Sequence, residues 1–589
     1  MNRSLFLSAM LCSLCGVGVA QTNQTVKGKV VDKSGLTLPG VNILNVTTNT
    51  GSITDVDGNF TVDAKKGDVL RFSYIGMKDV EITVTKAELN VTLLEESQAL
   101  DDIVVIGYGT SKKKDLTGAV ASLKLEDSPV MSMPNNNVLE SLKGSLPGVN
   151  ISMASSAGGS PDFSIRGQNS IKAGTAPLLV VDGIIGGSFD ELNPQDIASI
   201  DILKDASSTA VYGSRAANGV IIVTTKRGKT DKPQFNFNMN YGLQTWTRKP
   251  KLMNGEQYVK LRQDWARAEG REGVDLDPEY LLLPKEYAAY QQGSEINWFD
   301  ETTQVAPTQS YQLSVSGADE KFNYYISGNY LDQEGLMVGD NFSRASFLTK
   351  LEANLTTWLK AGVNLSGNLR DYSGVSPDMY TATYISPWGF MNSTFEGLKD
   401  KMERYPSGST TWANPFWPTN GVDDLDKRYG FSAKGFLDIR LPWIEGLSWR
   451  LNGAYNISHS VQARFNHEEQ YVNTLKEEEL RDPQQFLKNA NGYRKESNGR
   501  SWLMNQILNY NRQFGEHKID FTFMSERQRS YSEGTQANAN DFEQAGTTVL
   551  GYNSLEKGDP NKYKVDTWKG VTSQLAYMLR LNYVWRDRY

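Results

Sequence analysis

Cysteine is almost absent. Of 589 residues only Cys12 and Cys15 carry a thiol, and both fall within the first twenty positions. Those twenty read as an export signal: Asn2-Arg3 opens it, residues 5–14 are mostly apolar, and Val17-Gly18-Val19-Ala20 offers a small-residue cleavage site before Gln21. Leu14 before Cys15 does not suit a lipid-anchored cysteine. Cleavage after Ala20 leaves no thiol, which excludes disulfides and thiolate metal sites. Histidine is nearly as scarce, with only His459, His467 and His517. His467-Glu468-Glu469-Gln470-Tyr471 lacks the second histidine of a zinc protease helix. No Gly-x-Ser-x-Gly elbow and no phosphate loop ending in Gly-Lys-Ser/Thr is present. The chain is therefore read as a non-enzyme, with no metal and no cofactor. An excess of basic residues is missing too: the net charge is −7 with 22% charged residues, which argues against a nucleic-acid partner. No run of about 18 apolar residues follows the N-terminal segment, so no transmembrane helix is expected.

What the chain does have is 27 Tyr, 22 Phe, 12 Trp and 52 Gly, a composition for many strands rather than helices. Residues 25–94 predict a compact β-sandwich of short strands at regular spacing. Within it Asp55-Val56-Asp57-Gly58 resembles a calcium loop only superficially, because its glycine comes at position 4 where an EF-hand needs position 6. A tight hairpin turn is the better reading. Next comes Asp101-Asp102-Ile103-Val104-Val105-Ile106-Gly107-Tyr108-Gly109-Thr110, a β-branched strand with polar flanks and no evident sheet to join. Residues 116–229 turn to mixed α/β, with a helix expected over 135–143, buried strands at 177–183, 197–203 and 219–225, and a short helix over 205–212.

Beyond Lys232 the pattern becomes repetitive. Phe235, Phe237, Met239, Tyr241 and Leu243 alternate with Asn236, Asn238, Asn240, Gly242 and Gln244. The same alternation returns at 311–315, 322–326, 359–365, 447–457, 519–523 and 575–583. A soluble sandwich would also alternate, but these strands reach about ten residues, the length that crosses an outer membrane at a tilt. Aromatics gather toward their ends, and short turns (318–320, 353–356) alternate with a connection as long as 371–429. That asymmetry fits a membrane β-barrel.

At this point the chain resembles a known family, the SusC-like (SusC/RagA type) TonB-dependent outer-membrane transporters of Bacteroidota. The sandwich resembles their carboxypeptidase-regulatory-like extension, and Leu100 to Thr110 resembles their TonB box. Leu142-Lys143-Gly144-Ser145-Leu146-Pro147-Gly148-Val149, Ile165-Arg166-Gly167 and Val181-Asp182-Gly183 resemble plug motifs. So does the stretch from Leu203-Lys204-Asp205-Ala206-Ser207-Ser208 through Tyr212-Gly213-Ser214-Arg215 to Lys226, the most specific of the four. The resemblance implies a mainly β fold: signal peptide 1–20, β-sandwich 21–98, TonB box and linker 99–115, small α/β plug 116–230, and antiparallel transmembrane barrel from 231 to 589. Family barrels have about 22 strands, on the order of 700 residues, so 231–589 suffices for roughly ten or eleven. A C-terminally truncated product is the expectation.

The resemblance further implies active import of an oligosaccharide or peptide, driven by TonB with ExbB/ExbD and lidded by a SusD-like surface lipoprotein. The barrel would sit in outer-membrane lipid, with the N-terminal domain in the periplasm. Asp102, Ile103, Val104, Val105, Ile106, Gly107 and Tyr108 would form the strand that TonB captures. Arg166, Asp182, Asp205 and Arg215 are candidates for plug-to-wall ion pairs, or alternatively ordinary surface pairs. Trp388, Trp412, Phe416 and Trp417 are candidates for stacking on substrate, with loop packing as the alternative. A siderophore or metal-chelate transporter and a non-transporting surface-binding or adhesin barrel are the other readings.

Overall fold

The computed structural model describes residues 24–586, apart from 33–34, 49, 75–76, 78, 94–102, 107–108, 113–119, 126–136, 145–147, 153, 155, 168–173, 175, 393–401, 468–489 and 543–549. The export signal, and Asp102, Gly107 and Tyr108, lie outside the described residues. The chain divides into two compact units, the first reaching to Val104 and the second holding nearly everything from Leu116 onward.

The first unit is a two-sheet sandwich. One sheet orders its strands Asn59–Ala64, Gln24–Asp32, Glu88–Leu93, and the other Thr50–Ile53, Asn42–Asn45, Val69–Ser73, Val80–Thr83. Strict alternation drives it: in Asn59–Ala64 the residues Phe60, Val62 and Ala64 are buried and their neighbours exposed. They pack with Val26, Val30, Ile43, Leu70, Phe72 and Val91 into one core. At the turn Asp55 Oδ1 accepts from the backbone N–H groups of Asp57 (3.0 Å) and Asn59 (2.8 Å), while Gly58 takes φ 76°. The aspartate shapes a hairpin turn.

The second unit opens with a five-stranded mixed sheet, ordered Val120–Lys124, Ile197–Leu203, Val220–Thr225, Leu178–Val181, Ile184–Ile185. Its strands are near-continuous apolar runs because both faces are covered. Leu179, Val181, Ile200, Ile202, Ile221 and Val223 pack on one side with Leu142 and Ile165. Val180, Leu203, Val220 and Ile222 pack on the other with Tyr212, Ala454 and Leu503. The expected helix over 135–143 is only a 3-10 turn, Glu140–Leu142, among the described residues. The helix expected over 205–212 is a single α turn, Ala206–Thr209, continued as a 3-10 stretch to Ala216 and broken at Gly213 (φ 66°). The left-handed Gly213 falls just past the expected end, where glycine tolerates that φ without strain.

Ten antiparallel strands follow: β1 (Gln234–Gln244), β2 (Ala306–Ala318), β3 (Phe322–Glu334), β4 (Asn341–Asn354), β5 (Leu359–Asp371), β6 (Val422–Arg440), β7 (Leu447–Asn466), β8 (Asn491–Phe514), β9 (His517–Asn540) and β10 (Lys564–Trp585). They pair in sequence order into one sheet with β1 and β10 at its edges. The connections 319–321, 355–358, 441–446 and 515–516 lie at one end; 245–305, 335–340, 372–421, 467–490 and 541–563 lie at the other. Strand β6 begins at Val422, so the long connection stops short of the Tyr429 expected from sequence.

The sheet's polarity is inverted relative to a water-soluble protein. On β2 the buried residues are Thr308, Ser310, Gln312 and Ser314, while Leu313 between them is 60% exposed. Polar side chains line the face that meets the small sheet and apolar ones the opposite face, the arrangement of a membrane barrel wall. No helix among the described residues is long and apolar enough to cross a membrane, which says nothing of strands.

Candidate functional site: the interface between the small sheet and the wall

Asp182 is set by the chain at its end of Leu178–Val181. Val181 pairs with Ile184, leaving Asp182 (φ 52°) and Gly183 (φ 81°) as a two-residue turn with both residues left-handed. Aspartate tolerates that conformation better than most residues. The turn aims the Asp182 carboxylate at the wall. It accepts from Thr225 N (3.1 Å), Thr225 Oγ1 (2.7 Å), Lys350 Nζ on β4 (2.9 Å) and Asn364 Nδ2 on β5 (3.3 Å). Lys350 Nζ also donates to Thr225 Oγ1 at 2.9 Å. The Lys350 side chain is 1% exposed and that of Asp182 7%. Burial by itself pushes the Asp182 carboxyl up; the Lys350 ammonium and the Thr225 hydrogen bonds outweigh it and hold the carboxyl below the usual range.

Arg215 makes a second contact. It follows the Gly213 break and reaches Glu526 on β9 at 2.8 Å, where the glutamate side chain is 1% exposed. Glu526 also accepts from Asn505 Nδ2, itself tied to Asn452 on β7, so the pair sits in a polar ladder on the inner wall.

Arg166 and Asp205 behave differently from the expectation of wall contacts. They pair with each other within the small-sheet region, joining the turn after Phe163–Ile165 to the start of the Ala206–Thr209 helix. Their partner is near because Arg166 (φ 58°) occupies a tight turn whose direction sequence spacing does not disclose.

Several contacts escaped the sequence reading. Buried Asp196 accepts from Gln312 Nε2 (2.7 Å), Tyr325 Oη (2.9 Å) and Asn193 Nδ2 (3.3 Å). Its desolvation outweighs these bonds and raises its carboxyl above the ordinary value. Buried Arg344 on β4 donates to the carbonyls of Asp190 (3.2 Å) and Leu192 (3.3 Å). Ala157 N donates to Asp340 Oδ2 and Gly158 N to Gln333 Oε1, both at 2.9 Å. Of the wall residues concerned, Gln312, Gln333 and Arg344 sit at polar positions of alternating strands, a signal that marks a wet face without naming a partner, while Asp340 lies in the 335–340 connection.

The four aromatic candidates do not share one surface. Trp388 is a core residue of the loop region: it is buried, donates Nε1–H to the Gly255 carbonyl at 3.1 Å, and meets Tyr290 edge-on at 5.1 Å. Trp412 instead stacks on Tyr384 (5.6 Å, 14°) beside Tyr380, both tyrosines being exposed. Trp417 lies under the Arg404 guanidinium at 5.4 Å, and Phe416 is held by backbone bonds to Asn414 and Thr419. Tyr380 and Tyr384, on the Met379–Tyr384 helix, were not singled out from sequence because a two-turn helix within a long loop left no periodic signal.

Strand Ile103–Ile106 forms a two-stranded sheet with Gly109–Lys112. The strand that seemed to lack a sheet pairs with its own continuation, and no third strand joins them among the described residues.

Comparison with known proteins gives two family matches: a TonB-dependent Receptor Plug Domain over residues 112–220, and a CarboxypepD_reg-like domain over residues 26–105. The chain is 30% identical to TonB-dependent receptor P3 of Formosa agariphila, over 98% of this chain and 55% of that protein. It is 30% identical to TonB-dependent receptor SusC of Bacteroides thetaiotaomicron, over 72% of this chain and 43% of that one. The chain thus spans about half the length of the curated relatives it matches. Among solved structures, the RagAB peptide importer in its closed-closed state superposes with a TM-score of 0.66 at 22% identity, covering 80% of this chain and 54% of that one.

Proposed function

Over the length it spans the chain belongs to the SusC-like TonB-dependent receptors, and from that premise we propose that it serves TonB-driven import of an oligosaccharide or peptide across the outer membrane. The observation that carries the proposal is the seating of the plug sheet on the wall by buried polar pairs, Asp182–Lys350 and Arg215–Glu526. A purely apolar interface would resist parting in water. Buried ion pairs regain hydration when separated, which offsets part of the cost of parting the plug from the apolar contacts at Ala454 and Leu503. The pull would enter through the edge strand Val120–Lys124, which is the first described plug strand after the linker and, among the described residues, pairs on one side only, with Ile197–Leu203.

Ile103–Ile106 is the strand offered to TonB, with ExbB/ExbD supplying the energy. An exposed edge recruits a partner strand by main-chain hydrogen bonding. TonB would add to an outer edge of the small hairpin or displace Gly109–Lys112. At the end with the long connections, the Tyr380–Tyr384–Trp412 cluster is a stacking platform suited to a sugar ring or an aromatic side chain, close to where a SusD-like lipoprotein would close the lumen. RagAB is a peptide importer by name and SusC a receptor, so both nutrient classes stay in the proposal. Deleting residues 103–108 in the full-length receptor should abolish uptake while leaving surface binding of the nutrient intact. Unchanged uptake would refute the role of the strand.

A further inference from the structure

The face of β8 and β9 turned away from the small sheet carries three arginines that the transport reading does not use. Their orientation follows from alternation. Leu503, Asn505, Met524 and Glu526 are buried against the plug or inner wall, so Arg500 and Trp502 on β8, and Arg527, Arg529 and Tyr531 on β9, point the other way. Register places Arg500 beside Tyr531, Trp502 beside Arg529 and Met504 beside Arg527. The rings clamp the guanidinium groups: Arg500 and Arg529 lie 5.3 and 4.9 Å from the centre of Tyr531, and Arg527 lies 5.9 Å from that of Trp502. Among the described residues, no carboxylate forms an ion pair with any of the three; Glu533 follows Tyr531 on the same face without pairing to them.

Their height is set by the neighbouring strand. On β10 the outward residues Leu575, Tyr577, Leu579, Leu581 and Tyr583 are all exposed. Nine residues at about 3.4 Å each, tilted by about 40°, cover roughly 20 to 25 Å, the depth of an outer-membrane apolar band. One margin of that band holds His517 stacked on Tyr583 and Trp585, beside the short turns. Arg527 pairs with Leu575 at the opposite margin, and Arg529 and Arg500 lie just beyond it. An arginine there without a partner would snorkel to water. Three on two adjacent strands, each beside an aromatic ring, present guanidinium donors that no carboxylate pairs among the described residues.

We infer that Arg500, Arg527 and Arg529 bind the phosphate of a lipid headgroup in the membrane leaflet nearest the long connections. Charge complementarity and position choose this occupant: Met504 and Leu575 beside Arg527 are exposed and apolar, so the ligand needs acyl chains below its phosphate. The inference rests on the membrane placement of the sheet. The test is native mass spectrometry of the full-length receptor extracted in detergent, incubated with monophosphoryl lipid A or its dephosphorylated counterpart. The phosphorylated lipid should be retained preferentially, on the order of 100-fold at roughly fivefold per arginine, with the preference lost in R500Q/R527Q/R529Q. Equal retention of the two lipids by the unaltered protein would overturn the inference, and needs no variant to fold. Displacement by millimolar inorganic phosphate would assign the cluster to a soluble anion and overturn it too. A receptor recovered without detergent would instead defeat the membrane placement itself.

Discussion

The Asp182–Lys350 contact gives the sharpest test of how the plug is held. Replacing Asp182→Asn leaves the Lys350 ammonium almost wholly buried with Thr225 and an amide as its neighbours, and Lys350→Met strands the carboxylate in the same way. Removing one partner of a buried pair costs about 3–5 kcal/mol. If the pair secures the plug locally, opening of its Val220–Thr225 strand should become roughly 140- to 3700-fold more frequent, since each 1.4 kcal/mol is about tenfold. Hydrogen exchange reads this directly, because Thr225 N donates to the Asp182 carboxylate and Val220–Thr225 amides form the centre of the plug sheet. The double variant Asp182→Asn, Lys350→Met should recover most of the loss, since it leaves no buried charge at the site. A change below about tenfold in either single variant, or single effects that simply add in the double, would refute the reasoning.

The two buried aspartates respond oppositely to acid. Asp182 is held below the ordinary carboxylate value, so its contribution is present above about pH 3.9 and fades as pH falls through its lower folded value. Asp196 is raised, so its favourable contribution is complete below about pH 3.9 and is lost as pH rises through its folded value. Plug amide protection, with the intrinsic base-catalysed pH dependence of exchange divided out, should therefore rise modestly from neutral toward mildly acidic pH, and Asp196→Asn should remove that gain; protection that only falls on mild acidification would contradict it. Arg215→Met takes the guanidinium away from the buried Glu526 carboxylate, which keeps its bond from Asn505, and should weaken plug seating by about 3 kcal/mol, visible as a lower melting temperature. Gly255→Ala would set a Cβ 2.3 Å from the Trp388 ring, so the loop region should lose about 1–3 kcal/mol and its tryptophan emission should shift red; an unshifted spectrum would show that the ring moves freely.

Alternation alone was enough to show a wall with one wet and one oily face, because the two-residue period of a strand is written in the order of its side chains. Phe235 to Leu243 and Leu575 to Tyr583 needed no partner to be read that way. The candidate site was legible only in part. Asp182 and Arg215 stood out as polar residues beside glycine-marked turns, yet the same reasoning chose Arg166 and Asp205, which meet each other instead of the wall. The helix expected over 135–143 is only the 3-10 turn Glu140–Leu142 among the described residues, whereas 205–212 is helical from Ala206 onward and runs on as a 3-10 stretch to Ala216.

The amino-acid sequence by itself determined the order of sandwich, plug and wall, and the inward and outward faces of each strand. These are properties of composition and of periods only a few residues long. Which inner-face residue meets which plug turn was decided by the tertiary structure. Lys350 is 168 positions from Asp182, and only the pairing of ten strands in register brings them together. The same holds for Arg500, Arg527 and Arg529: in the chain they are scattered basic residues, and strand register makes them one surface at the edge of the apolar band.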